Sequence, residues 1–146
     1  MSIPRRAGRA GGVADEDGSV LILTIGYAML ALAAILLCVD ATSLYLSQKR
    51  LDAVADAAAL AAADGFTLSI VGGEPVAILD DGGVRAQAAS MVGEIGGASR
   101  LVSAVTPDGV SARVTVAATW RPPILTLFVP EGVELESTAT GRTALR

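Results

Sequence analysis

SVLILTIGYAMLALAAILLCV, residues 19–39, carries no charged side chain, and Asp40 closes it. The run is 21 residues long. At about 1.5 Å per residue a helix of that length reaches roughly 30 Å, the thickness of a bilayer's hydrocarbon core. A soluble helix as long would show a polar stripe. Here only Ser19, Thr24, Tyr27 and Cys38 interrupt the apolar surface, too few for a wet face. The run therefore predicts a single membrane-spanning helix.

Composition limits what the rest can do. The chain has 146 residues, which leaves one small domain beyond the span. Hydrophobic residues make up 52% and aromatics only 3%, so Ala, Val, Leu and Ile must build the core. The net charge of −4 opposes nucleic-acid binding, which needs a basic face. There is no histidine, so the usual general base and commonest metal ligand are missing. One cysteine, Cys38, allows neither an intrachain disulfide nor a cysteine zinc cluster. Neither Asp15-Glu16-Asp17 nor Asp80-Asp81-Gly82-Gly83 has the alternating spacing of an EF-hand loop. No phosphate loop is present, and Ser103 and Ser111 have no histidine to activate them. We expect no enzyme activity, no catalytic or metal-binding residue, no cofactor and no small-molecule substrate.

Before the span, residues 1–18 are Gly/Ala-rich and charged, with Arg5, Arg6 and Arg9 followed by three acids, and read as a disordered leader. The arginines favour a cytoplasmic N-terminus over Lys49 and Arg50 on the far side. A cleaved secretory signal would need a shorter apolar stretch and an Ala-x-Ala-like end. A lipoprotein site at Cys38 would need a small residue where Leu37 stands. The remaining reading is a charged leader ending in Gly18, with Ser19 opening the helix. That pair is a candidate prepilin-type processing site. Type IV pilins usually carry Glu five residues later, where this chain has Leu23.

After Asp40 no Pro or Gly interrupts the chain until Gly65, and Ala, Leu, Gln, Lys and Arg favour helix. The spacing predicts that the helix continues through residues 40–64 as an extramembrane extension. Leu44, Leu51, Val54, Ala55, Ala58 and Ala62 fall on one face. Two partners suit that small-residue face: the protein's own sheet, or neighbouring subunits. Asp40 would end the span, because a carboxylate in lipid is costly. Tyr45 suits the interfacial zone. Lys49 can pair with Asp52 three residues on.

Residues 65–146 read as a small α+β domain. Turn signals at Gly72-Gly73 and Asp80-Asp81-Gly82-Gly83 bracket two short strand candidates, 67–71 and 76–79. Val84, Ala88, Met91, Val92 and Ile95 predict a second helix over 84–95. The period then drops to two. Residues 101–105 and 110–120 flank Pro107-Asp108-Gly109 and predict a β-hairpin. A last strand is expected over 133–145. Between prolines, Ile124–Val129 suits a buried strand or short helix; an exposed loop touching membrane or a neighbour is the alternative. Trp120 is expected to anchor the core.

Val39-Asp40, Leu44-Tyr45-Leu46, Lys49-Arg50 and the Ala55-Asp56-Ala57 run through Ala63, in that order after Gly18-Ser19, resemble the TadE/TadG-like family of tight-adherence (Flp) pilus loci. The Ala/Gly-rich composition is similar to actinobacterial members. The resemblance covers about 45 residues after Gly18 and singles out Asp40, Tyr45, Lys49, Arg50 and Asp56 as family positions. It implies a pilin-like module, a long helix packed on an antiparallel sheet, anchored in the cytoplasmic membrane with its C-terminal part outside. It further implies a minor pilin or assembly component whose partners are the bilayer, other pilin-like subunits and the secretion machinery. The alternative is a membrane-anchored binding module outside any filament.

Overall fold

The computed structural model describes residues 14–142. The arginines of the leader and the last residues of the expected final strand, 143–145, lie outside them. The fold is α+β, and the chain divides into two units, one through Cys38 and one from Val39 onward.

Helix α1 runs Ala14–Ala63. It starts ahead of the expected Ser19, with no proline between Ala14 and Gly18 to stop it. In the first unit its apolar residues are exposed: Leu23, Met29, Leu30 and Ile35 all stand open. Among the described residues this is the one helix long and apolar enough to cross a membrane. Thr24, polar within this stretch, donates its hydroxyl to the Val20 carbonyl at 2.8 Å. That bond satisfies the hydroxyl inside the helix itself, as lipid requires.

The second unit begins with the rest of α1 and adds β1 (Thr67–Val71), β2 (Glu74–Ile78), α2 (Asp81–Ile95), β3 (Arg100–Val105), β4 (Ser111–Trp120), a single 3-10 turn (Leu125–Leu127) and β5 (Val133–Arg142). β1 and β2 form an antiparallel hairpin through Gly72 and Gly73, both at positive φ. The main sheet has the order β3-β4-β5, antiparallel throughout.

Period-two patterning places Ala112, Val114 and Val116 of β4 on the covered face, while Arg113 points to solvent. Against that face lie Leu51, Ala55, Ala58, Ala59 and Ala62 from α1, and Val84, Ala88 and Val92 from α2. The small-residue face of α1 is thus consumed by the protein's own sheet. Alanine is what permits the fit. At Gly141 of β5 an added Cβ would overlap the Ala59 carbonyl oxygen and lie 2.8 Å from its carbon.

Helix α2 starts three residues earlier than its apolar period implies. Asp80 is its N-cap, accepting from the Gly83 N–H at 2.9 Å. Asp80-Asp81-Gly82-Gly83, a turn by composition, is therefore a cap and a first helical turn. The Ile124–Val129 segment also departs from the expected buried element. Leu127 and Phe128 are exposed, and the segment folds as a loop around one 3-10 turn.

Candidate functional site

Polar contacts form a seam between α1 and the sheet in the second unit, on and to both sides of the alanine face. Its residues are Asp40 on the apolar face, Ser43 on one flank of that face, and Gln48 and Asp52 on the other, and each reaches the sheet or the loop after it. Asp40 is 4% exposed, and its Oδ1 accepts from the Ile124 N–H at 3.1 Å. Its Oδ2 is buried with no hydrogen-bond partner among the described residues. Ser43 Oγ accepts from the Trp120 indole N–H at 3.1 Å. Gln48 donates to the Glu136 carbonyl at 3.2 Å and to Asp52 Oδ1 at 3.1 Å. Ser137 donates its hydroxyl to Asp52 Oδ1 at 2.8 Å.

Asp52 is where charge concentrates. Bonds from Ser137, Gln48 and then Lys49, in that order of weight, hold its carboxyl below the ordinary carboxylate range. Lys49 Nζ lies 3.2 Å from Asp52 Oδ2 and 6.0 Å from the centre of the Tyr45 ring. The same carboxylate raises the Lys49 amine above its usual value. Asp108 is likewise lowered, chiefly by the Ser111 hydroxyl and then by the Val110 N–H.

Both carboxylates titrate lower folded than unfolded. They stabilise the fold above the unfolded carboxylate pKa, and that stability is lost as pH falls through the folded value. The thermal midpoint, read from Trp120 fluorescence in detergent, is expected to fall as pH drops below about 4. Asp52→Asn should flatten part of that fall. An unchanged pH profile in the variant would remove Asp52 from the account.

The expected family positions separate in the structure. Tyr45 and Lys49 cluster with Asp52 on the exposed side of the seam. Arg50 is exposed and lines an open groove of about 700 Å³, with Leu51, Val54, Ile95, Trp120 and Leu135 among its walls. Asp56 is exposed. Gly18 and Ser19 lie within α1 in the first unit, both exposed, and a Cβ at Gly18 would meet nothing within 4 Å. Asp40 does more than mark the end of an apolar run: it binds the backbone of a distant loop. Trp120 is half-buried on the groove wall, short of a core anchor.

Sequence reasoning missed Ser43, Gln48, Asp52 and Ser137 as one system. No stripe marks them: Asp40 falls on the apolar face itself, Ser43 on one flank of it, and Gln48 and Asp52 on the other. Their partners, Trp120, Ile124, Glu136 and Ser137, carry no local mark. Among the described residues no group of three or more Cys, Asp and Glu side chains comes together as a metal site would require.

Residues 18–65 match the family model described as putative Flp pilus-assembly TadE/G-like. Comparisons with curated proteins and with solved structures gave no match.

Proposed function

From the match of residues 18–65 to the TadE/G-like Flp pilus-assembly family, we propose that this chain is a non-enzymatic, membrane-anchored component of a tight-adherence pilus or related secretion system. It acts as a minor pilin or assembly factor. The apolar run crosses the cytoplasmic membrane once, with the N-terminus inside and the residues from Asp40 onward outside. Its partners are other pilin-like subunits and the assembly machinery. Gly18-Ser19 is its processing site, and Asp40, Tyr45, Lys49, Arg50 and Asp56 are the family positions on the helix.

One observation carries this reading. The matched residues coincide with the one described helix that is long and apolar enough to span a bilayer, and continue along it through the part that packs on the sheet. The alanine face is occupied within the chain, so contacts between subunits fall to the exposed side chains of α1: those of the apolar run, and Leu46 and Leu60 beyond it.

The test is affinity isolation of the tagged chain from native membranes, followed by mass spectrometry of what accompanies it and of its own N-terminus. Other single-span pilin-like subunits or a pilus ATPase are expected in the eluate. A terminus at Ser19 assigns prepilin-type processing; a terminus ahead of Gly18 makes the protein an uncleaved anchor and retires that site. A chain recovered alone would favour the membrane-anchored binding module.

A further inference from the structure

Two adjacent side chains of the loop after β4 are out of place for a folded domain in water, as is Ile70 of β1, 81% exposed. Leu127 is 92% exposed and Phe128 82%, the two most exposed large apolar residues described. They stand on a built loop. Pro122 is fully buried. The Thr126 hydroxyl donates to the Pro122 carbonyl. Phe128 N–H and Val129 N–H both donate to the Leu125 carbonyl, at 2.9 and 3.0 Å. Gly132 N–H returns to the Val129 carbonyl at 3.2 Å, and its positive φ of 77° closes the loop. A Cβ there would also lie 2.6 Å from the Trp120 carbonyl oxygen. The loop therefore presents Leu127 and Phe128 on a fixed frame.

Its place in the second unit follows from the contacts along α1. Gly141 of β5 lies on Ala59, Ser137 on Asp52, and Glu136 on Gln48. Descending further, Trp120 at the end of β4 reaches Ser43, and Ile124 reaches Asp40. Each step toward the loop is a step toward the N-terminal end of this part of α1. The loop occupies the end of the unit at which the chain passes into the apolar run, whose last residue, Val39, stands one before Asp40.

We propose that the Pro122–Gly132 loop is a second membrane contact, with Leu127 and Phe128 inserted into the lipid at the glycerol and upper acyl level of the leaflet that Asp40 borders. This rests on the membrane-spanning reading of residues 19–39. The occupant is lipid because the loop sits where the chain meets the bilayer. The apolar face of an interfacial helix sits about 5–10 Å into the boundary between headgroups and acyl chains, the depth available to these two side chains. Asp40 then has a second role beyond ending the span: its bond to Ile124 sets the height of the loop above the leaflet.

The test uses the full chain reconstituted in phosphatidylcholine–phosphatidylglycerol vesicles. An NBD fluorophore is placed at position 128 in a Cys38→Ala/Phe128→Cys variant, and at position 127 in a Cys38→Ala/Leu127→Cys companion. The control is Cys38→Ala/Arg113→Cys, on the exposed face of β4. Emission at 127 and 128 should be blue-shifted, and iodide quenching several-fold weaker than at 113. Lipids spin-labelled near the glycerol should quench it more than lipids labelled at the chain end. Protein that floats with the vesicles but shows iodide quenching equal to the control overturns the proposal. Protection from both iodide and spin-labelled lipid also overturns it, since the pair would then be covered by protein. Protein that fails to float with the vesicles defeats the membrane-spanning reading itself and this proposal with it.

Discussion

A Met29→Arg/Leu30→Arg double variant is expected to leave the membrane fraction. Both residues are open in the first unit, 65% and 66% exposed, so neither substitution removes packing among the described residues. What each changes is its solvent. An arginine at the centre of a span costs about 2.5–3.5 kcal/mol on insertion scales, so the pair costs about 6 kcal/mol. That exceeds a factor of ten thousand in partitioning. Alkaline carbonate extraction should release the variant, or proteolysis should remove it, while Met29→Leu/Leu30→Ala stays in the pellet. Retention of the double-arginine chain in carbonate-washed membranes would falsify the membrane-spanning reading.

The second large effect is expected at Gly141. Here an added carbon meets the Ala59 carbonyl oxygen and carbon and, at 3.2 Å, the Leu60 amide nitrogen. These are backbone atoms of a helix and cannot rotate away. β5 would have to lift off α1, exposing Ala139 and loosening the Ser137–Asp52 bond. Gly141→Ala should cost about 3 kcal/mol, the upper end of overpacking, and Gly141→Val more. In detergent, the Trp120 fluorescence transition should move to lower temperature for the alanine variant. For the valine variant the cooperative transition should vanish. A Gly141→Ala chain melting with the parent would mean that β5 and α1 do not meet as closely as described.

Much of this architecture was legible because it is written in short-range patterns. The apolar run, the extension without Pro or Gly, the 3.6-residue period of Leu51, Ala55, Ala58 and Ala62, and the alternation around Pro107-Asp108-Gly109 each need only a dozen residues of context. The start of α2 was misplaced because two glycines and two aspartates suit a turn and a capped helix equally well; the Asp80–Gly83 bond decides, and composition does not show it. The Ile124–Val129 segment misled for a different reason. Hydrophobicity predicts that a side chain leaves water, but says nothing about whether protein or another medium receives it. The site was the least legible part. Asp40 and Ile124 are separated by 84 positions, and Asp52 and Ser137 by 85. A bond across that distance leaves no periodic trace at either end.

The same separations fix an order of events. Translation makes α1 first, and β5, which completes the cover over Ala58 and Ala59, ends at Arg142. From the making of Ala62 until Arg142 is reached, the nascent protein carries an alanine ridge that its own sheet has not yet fully covered. Long-range pairing of this kind is slow, since loop closure must precede the contacts that reward it. During that interval the ridge is open to the equivalent strand of a sibling chain, and exchange between siblings is the misassembly that this topology invites.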